Sequence, residues 1–291
     1  VPEAPYVDMN GLFQILLHAA WNMGRETGKG ILVTGFVLAT LGVLWSGARR
    51  RGVRSAGLLA AGFLVGLLAW EIRFASRPEL ITYLLLAVQL ELLGRHAGGG
   101  RRAVLYALPL LQWIWVWSHS LSLLGVAVTG AYAILGLAGR QRRDRAPWIA
   151  LAASCIAMVL NPYGLRGLQF LWHLRTRLST ANVFGEQILE LRPPFGAGVH
   201  DIWPVLAFKA GVVLTLAATA IRIRRRRPFD LAVVVLFAGL GLTALRNVGL
   251  FVVATLPVAL ESAQDIADAL PRGRRWRGAM TAVALAGPVF A

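Results

Sequence analysis

Twenty of the thirty lysine and arginine residues in this chain are gathered into five arginine clusters, and apolar stretches separate the clusters. Arg49, Arg50, Arg51 and Arg54 form the first, and Arg95, Arg101 and Arg102 the second. Arg140, Arg142, Arg143 and Arg145 follow, then Arg222 with Arg224, Arg225, Arg226 and Arg227, and last Arg272, Arg274, Arg275 and Arg277. The clusters occupy every second gap between apolar stretches. Such alternation is the positive-inside pattern of a chain threaded repeatedly through a membrane, and it assigns the arginine-rich gaps to the cytoplasmic side.

Composition supports that reading. Hydrophobic residues make up 57% of the chain, charged residues only 15%, and the mean hydropathy is +0.61. Ordinary soluble domains carry far more charge. The formal charge of +16 would suit a nucleic-acid binder, but its distribution argues against one. A binding footprint is one contiguous basic face, whereas this charge is split among five separated loops. The expected contacts are anionic lipids, and no nucleic acid. A single cysteine, Cys155, excludes an intrachain disulfide and a cysteine-based metal cluster. Twenty-eight arginines against two lysines suit a GC-rich bacterial genome, so the expected location is a bacterial inner membrane.

A spanning helix needs about 20 largely apolar residues to cross about 30 Å of hydrocarbon. Ten stretches qualify as candidates: 30–47, 56–72, 78–94, 103–119, 121–139, 146–161, 203–222, 229–245, 247–262 and 278–291. The expected fold is therefore all-α and polytopic, with about ten transmembrane helices and two interfacial amphipathic helices on the outer side. Four regions follow: an outer segment 1–29, six spans over 30–161, a long outer loop 162–202, and four spans over 203–291. The threading places 1–29 outside and expects an upstream segment to carry it there. In that segment Asn10, Gln14, His18 and Asn22 recur every four residues as a polar stripe, which marks a helix lying along the membrane surface. The second such helix covers roughly 164–178.

Polar groups at the outer ends carry the functional information, because a charge at membrane depth costs roughly 2.5–3.5 kcal/mol and needs a partner, water or ligand. Arg73 and Arg77 stand in a tight hairpin, where they would pair with Glu71 and Glu79 or bind lipid phosphate. Arg246 sits in a two-residue connection with no acid nearby in sequence, which points to a ligand or a buried partner. His119 follows three alternating tryptophans and reads as an interfacial anchor or a catalytic group. Asn161-Pro-Tyr-Gly164 reads as a helix stop and turn. Glu186 and Glu190, four residues apart, would form an acidic pair or a face salt-bridged with Arg192. Asp8 either starts the first helix as a cap or presents a carboxylate to a cavity. In the second case it would accept a proton or hold a divalent metal, while the arginines neutralise a phosphate leaving group.

The motifs Pro5-Tyr-Val-Asp-Met-Asn-Gly-Leu-Phe-Gln14, Arg77-Pro-Glu-Leu80, Trp115-Val-Trp-Ser-His119, Asn161-Pro-Tyr-Gly164, Glu186-Gln-Ile-Leu-Glu190 and Arg246-Asn-Val-Gly-Leu250 run through the chain in that order. In them the chain resembles the GT-C superfamily of membrane glycosyltransferases and a related group of bacterial multipass proteins. The resemblance implies transfer of a sugar from a polyprenyl-phosphate carrier on the outer face. It implies Asp8 and His119 as catalytic groups and Arg73, Arg77 and Arg246 as contacts to the carrier phosphate. Two other functions fit the same composition. One is a non-catalytic subunit stabilising a larger membrane complex of other protein subunits, and the other is a transporter or lipid flippase. A transporter needs a polar path through the bilayer centre, where only Lys209 and Glu91 bring charge.

Overall fold

The computed structural model describes residues 7–137, 143–177, 188–196 and 199–270. Among these residues every regular element is helical. The α-helices are α1 (Gly11–Arg50), α2 (Ala56–Trp70), α3 (Glu79–Ala97), α4 (Leu108–Ser118), α5 (Leu123–Gly136), α6 (Ala146–Ala157), α7 (Leu165–Arg177), α8 (Trp203–Ile221), α9 (Pro228–Thr243) and α10 (Val248–Ala269). Short 3-10 turns join several of them, at Glu71–Arg73, Leu189–Leu191 and Leu245–Asn247 among others.

Five segments are long and apolar enough to cross a membrane, against the ten expected: Gly11–Arg50, Ala56–Arg73, Glu79–Ala97, Trp203–Ile221 and Leu245–Ala269. Four of the other stretches are apolar, but their α-helices are short. Residues 103–119 divide into a 3-10 turn, Arg102–Ala107, and the 11-residue α4. Residues 121–139 begin with a 3-10 turn before α5, and α6 has only 12 residues. A 12-residue α-helix rises only about 18 Å. The 16-residue α9 ends where Ala244 turns extended (φ −161°), as α4 ends at His119 (φ −164°). Hydropathy counts apolar residues whatever their backbone does, so it overestimated the length of these helices. The stretch 278–291 lies outside the described residues.

α1 joins the expected surface helix to the expected first span, with a break at Gly24 and Arg25 between them. Gly28 is required there, since a Cβ would lie 1.9 Å from the Ala20 carbonyl oxygen. Arg25 has φ 51°, a region costly for a side chain other than glycine. Its guanidinium lies 5.3 Å from the Trp21 ring centroid, a cation–π contact. The polar stripe is exposed at Gln14, His18 and Asn22, while Phe13 and Ala20 on other faces are buried. α7 stands where the second surface helix is expected.

The chain forms two compact units, residues 1–43 with 74–187 and residues 44–73 with 188–291. In the first unit α3 is buried along most of its length, and its polar residues are satisfied by neighbouring helices. Gln89 donates to the Gly125 carbonyl and to Thr129, each at 2.7 Å. His96, at the end of α3, meets the Tyr132 hydroxyl at 2.7 Å through Nδ1 and Asp144 at 3.1 Å through Nε2. Asp144 also accepts the Ala146 N–H and faces Arg102.

Burial opposes ionisation of Asp144, but the Ala146 N–H, Arg102 and His96 together outweigh it and hold this carboxyl below its usual 3.8. A pKa depressed by folding adds stability above the unfolded value, and that stability disappears as pH falls through the folded value. Asp144→Asn is therefore expected to lower thermal stability at pH 7 and to converge with the unmodified chain below about pH 4. Melting curves of both proteins between pH 7 and pH 3 check this. A gap that stays constant with pH would show that the lost contact is not ionic.

The second unit is built around α10, whose residues Val248 to Thr255 are all buried. Helices that are apolar all round belong in an interior. α2 packs closely on it through glycines: a Cβ on Gly62 would stand 2.5 Å from Leu260, and one on Gly66 would stand 3.3 Å from Val252. Small residues at such crossings let helices approach closely where no hydrophobic effect draws them together. Phe208 and Phe251 meet edge to face at 5.4 Å. At the arginine-rich end Arg51 holds Asp230 with two hydrogen bonds, of 2.6 and 3.2 Å. Glu261 accepts a hydrogen bond from Arg51 at 2.7 Å and forms an ion pair with Arg226 at 2.6 Å, and Arg226 also pairs with Asp265. Burial alone would depress the Arg51 pKa, but Asp230 and Glu261 outweigh it and raise the value, so this guanidinium stays charged.

Candidate functional site

Asp8 is fixed by its neighbours in sequence. Val7 and Met9 on either side are buried in an apolar cluster with Val116 and Met158, so the carboxylate between them sits at the edge of that cluster. Its Oδ1 accepts the Asn10 N–H at 2.9 Å and the Gln14 side-chain amide at 3.3 Å. This local turn starts α1, since the Gln14 N–H bonds the Asn10 carbonyl at 3.0 Å. Oδ2 accepts no hydrogen bond among the described residues.

Asp8 lines a pocket of about 90 Å³ together with Gly11, Val116, Trp117, Asn161 and Tyr163. A Cβ on Gly11 would meet nothing within 4 Å, so the lack of a side chain there keeps the wall open. Opposite, Asn161 folds its own loop. It donates to the Met158 carbonyl and accepts the Tyr163 N–H, both at 2.8 Å, and Gly164 takes φ +52°. The Leu160 carbonyl accepts two indoles, Trp113 at 2.9 Å and Trp117 at 3.2 Å. The Asn-Pro-Tyr-Gly turn is structural, as its composition suggests, and it also carries Tyr163 into the pocket wall.

His119 does not line that pocket. It ends α4 in an extended conformation, with Nδ1 at 2.8 Å from the Thr82 hydroxyl. Thr82 itself accepts the Trp115 indole N–H at 2.8 Å. The hydroxyl keeps a second lone pair as well as its hydrogen, so the direction of its bond with His119 Nδ1 depends on the imidazole tautomer. The sequence reading missed Thr82. The hydroxyl of Thr82 in an otherwise apolar turn of α3 was the available signal, since a buried hydroxyl needs a partner.

Arg77 is exposed just before α3. Arg73 is buried, 5% exposed, and its Nη1 lies 2.5 Å from Glu190. Its acidic partner thus comes from the long loop, 117 residues away in sequence. Glu186, the other member of the expected acidic pair, lies outside the described residues. Arg246 stands in the turn Leu245–Asn247, half-buried. Arg73, Glu190 and Arg246 belong to the second unit, while Asp8, Arg77 and His119 belong to the first. Among the described residues no group of three or more His, Cys, Asp or Glu could hold a metal ion.

No protein-family model matches this chain, and no curated protein or solved structure matches it.

Proposed function

We propose that this chain is an integral membrane protein of the bacterial inner membrane that transfers a sugar from a polyprenyl-phosphate carrier at the outer face. The arginine-rich loops face the cytoplasm in this reading, and Asp8 and the 162–202 loop face outward. The observation that carries it is the Asp8 carboxylate, with one oxygen held by the start of α1 and the other unbonded at a pocket walled by Trp117, Asn161 and Tyr163. An oriented carboxylate is what a transfer to a hydroxyl needs, because it can take the proton as the sugar bond breaks. Aromatic faces and a planar amide around it suit the apolar faces and hydroxyl edges of a sugar ring.

Asp8→Asn keeps the turn, since an amide oxygen still accepts the Asn10 N–H, but it removes the base. Loss of a general base is worth roughly 10²–10⁴ in rate. Vesicles holding the full chain and a polyprenyl-phosphate sugar should lose at least a hundredfold in transfer with Asp8→Asn while the melting temperature holds. Transfer that persists in the variant sinks the catalytic role of Asp8.

A non-catalytic subunit is the second reading, and the size of the pocket favours it. About 90 Å³ is smaller than the 150 Å³ cavity that takes benzene, and too small for a whole sugar ring. A chain without transfer activity that co-purifies with a defined membrane enzyme would support it. The transporter reading gains nothing from the two interior charges. Lys209 reaches Asp201 just before its helix at 2.5 Å, and Glu91 pairs with Arg95 at 2.9 Å.

A further inference from the structure

We infer that the pocket beside Asp8 binds a methylated ammonium group, of the kind a choline head carries. Such a site stands apart from the transfer reading, because here Asp8 holds a charge instead of taking a proton. The pocket lies within the first unit, and Asp8 brings the single formal charge among its lining residues. That charge has no counter-ion among the described residues. Oδ1 is held by two neutral donors, the Asn10 N–H and the Gln14 amide, and Asp8 forms no ion pair there. Val116 belongs both to the pocket wall and to the buried apolar cluster that flanks Asp8. A charge beside an apolar wall costs free energy until it is paired.

The aromatic residues of the wall are firmly placed. Trp117 donates its indole N–H to the Leu160 carbonyl at 3.2 Å and meets Trp113 edge to face at 6.1 Å. Tyr163 is set by the Asn161 turn through its own N–H. Aromatic rings attract a cation through the negative charge of their faces, and quaternary ammonium ligands are the usual guests of such rings. One carboxylate and two aromatic residues around a small pocket are the parts that such a ligand requires.

Two other cations suit these walls less well. A divalent metal ion draws on about six oxygens. The side-chain oxygens of the lining residues are those of Asp8, Asn161 and Tyr163, and Asn161 Oδ1 already accepts the Tyr163 N–H. A primary ammonium has three N–H donors to satisfy, so the same shortage of acceptors counts against it. A fully methylated nitrogen has no N–H at all. Size agrees with this choice. The volume of about 90 Å³ lies between the ~30 Å³ share of one water and the cavity of about 150 Å³ that takes benzene, which leaves room for about four or five non-hydrogen atoms.

Equilibrium binding of choline to the full chain, purified in a maltoside detergent without ammonium groups, tests this. Ethanolamine and the uncharged isostere of choline, with tert-butyl in place of trimethylammonium, are the controls. Each should bind at least about tenfold more weakly than choline. Asp8→Asn keeps the turn but removes the charge, and it should weaken choline binding by a similar factor. Gly11→Leu carries the test if that variant does not fold. A Cβ at Gly11 meets nothing within 4 Å, so the longer side chain should block the pocket without lowering the melting temperature. Dihexanoyl phosphatidylcholine probes the source of the head. Asp8-dependent binding of both choline and the phospholipid supports a site for the ammonium group itself, and such binding of the phospholipid alone supports a lipid head. No binding of either, a control as tight as choline, or unchanged affinity in Asp8→Asn and Gly11→Leu overturns the proposal. Asp8-dependent choline binding in a protein whose sugar transfer persists in Asp8→Asn would leave this site standing without the transferase reading. Lost transfer without choline binding would do the reverse.

Discussion

Replacing Asp230 by asparagine should destabilise the second unit by about 3–5 kcal/mol, the usual cost of breaking a buried ion pair from one side. Asp230 is 4% exposed and accepts two hydrogen bonds from Arg51, which is itself largely buried. Without the carboxylate, Arg51 keeps only Glu261 of its two acids, and Glu261 also pairs with Arg226. The amide of asparagine would also turn N–H groups toward a guanidinium. The double change Arg51→Met with Asp230→Leu should recover most of the loss, since removing both charges leaves neither one stranded. Heating each variant in detergent and measuring the folded fraction gives the comparison. A double variant no better than Asp230→Asn would mean that shape, not charge, is what the pair contributes.

The second large effect concerns Gly125 at the start of α5. Alanine is the better helix former by about 1 kcal/mol, so an open glycine gains from this change. Gly125 is not open: a Cβ there would lie 2.2 Å from Gln112 Oε1 and 3.1 Å from the Trp115 ring. Neither neighbour can withdraw freely. Gln112 is buried and its amide bonds the Ser122 carbonyl at 2.8 Å, while Trp115 is 1% exposed and bonded to Thr82. Overpacking of about 1–3 kcal/mol, added to a displaced buried hydrogen bond of similar cost, outweighs the helix propensity. Gly125→Ala should therefore destabilise by about 2–4 kcal/mol and also shift the Trp115–Thr82–His119 chain. Gly239→Ala is the control, because its Cβ would meet nothing within 4 Å. Equal melting temperatures for the two variants would refute the packing argument.

These cases mark where sequence reading succeeds and where it stops. The polar stripe of the first helix was legible, because a four-residue period is a property of one helix and needs no partner. The end of α4 at His119 was legible too, because the apolar run stops there; its start was not, because whether residues 102–107 wind as α-helix or 3-10 turn depends on what packs around them. Four of the ten expected spans are shorter helices among the described residues. Asp8 was legible as a candidate for either of two roles, and in the structure its Oδ1 accepts the Asn10 N–H at the helix start while the residue lines a pocket with Trp117 and Tyr163. Those partners stand more than a hundred positions away in sequence, beyond any local pattern.

The amino-acid sequence alone determined that the chain is helical and apolar, with arginines gathered into its polar gaps, because composition and short-range periodicity dictate both. Only tertiary structure decided what those arginines do. Arg51 and Arg226 are drawn into a buried network with Asp230, Glu261 and Asp265, and Arg73 is neutralised by Glu190. The turn that carries Arg246 is tied to the Arg192 carbonyl through the Leu245 N–H. The physical reason is range. Helix formation is settled within a few residues, whereas the neutralisation of a charge depends on which distant segment folding brings within about 4 Å of it.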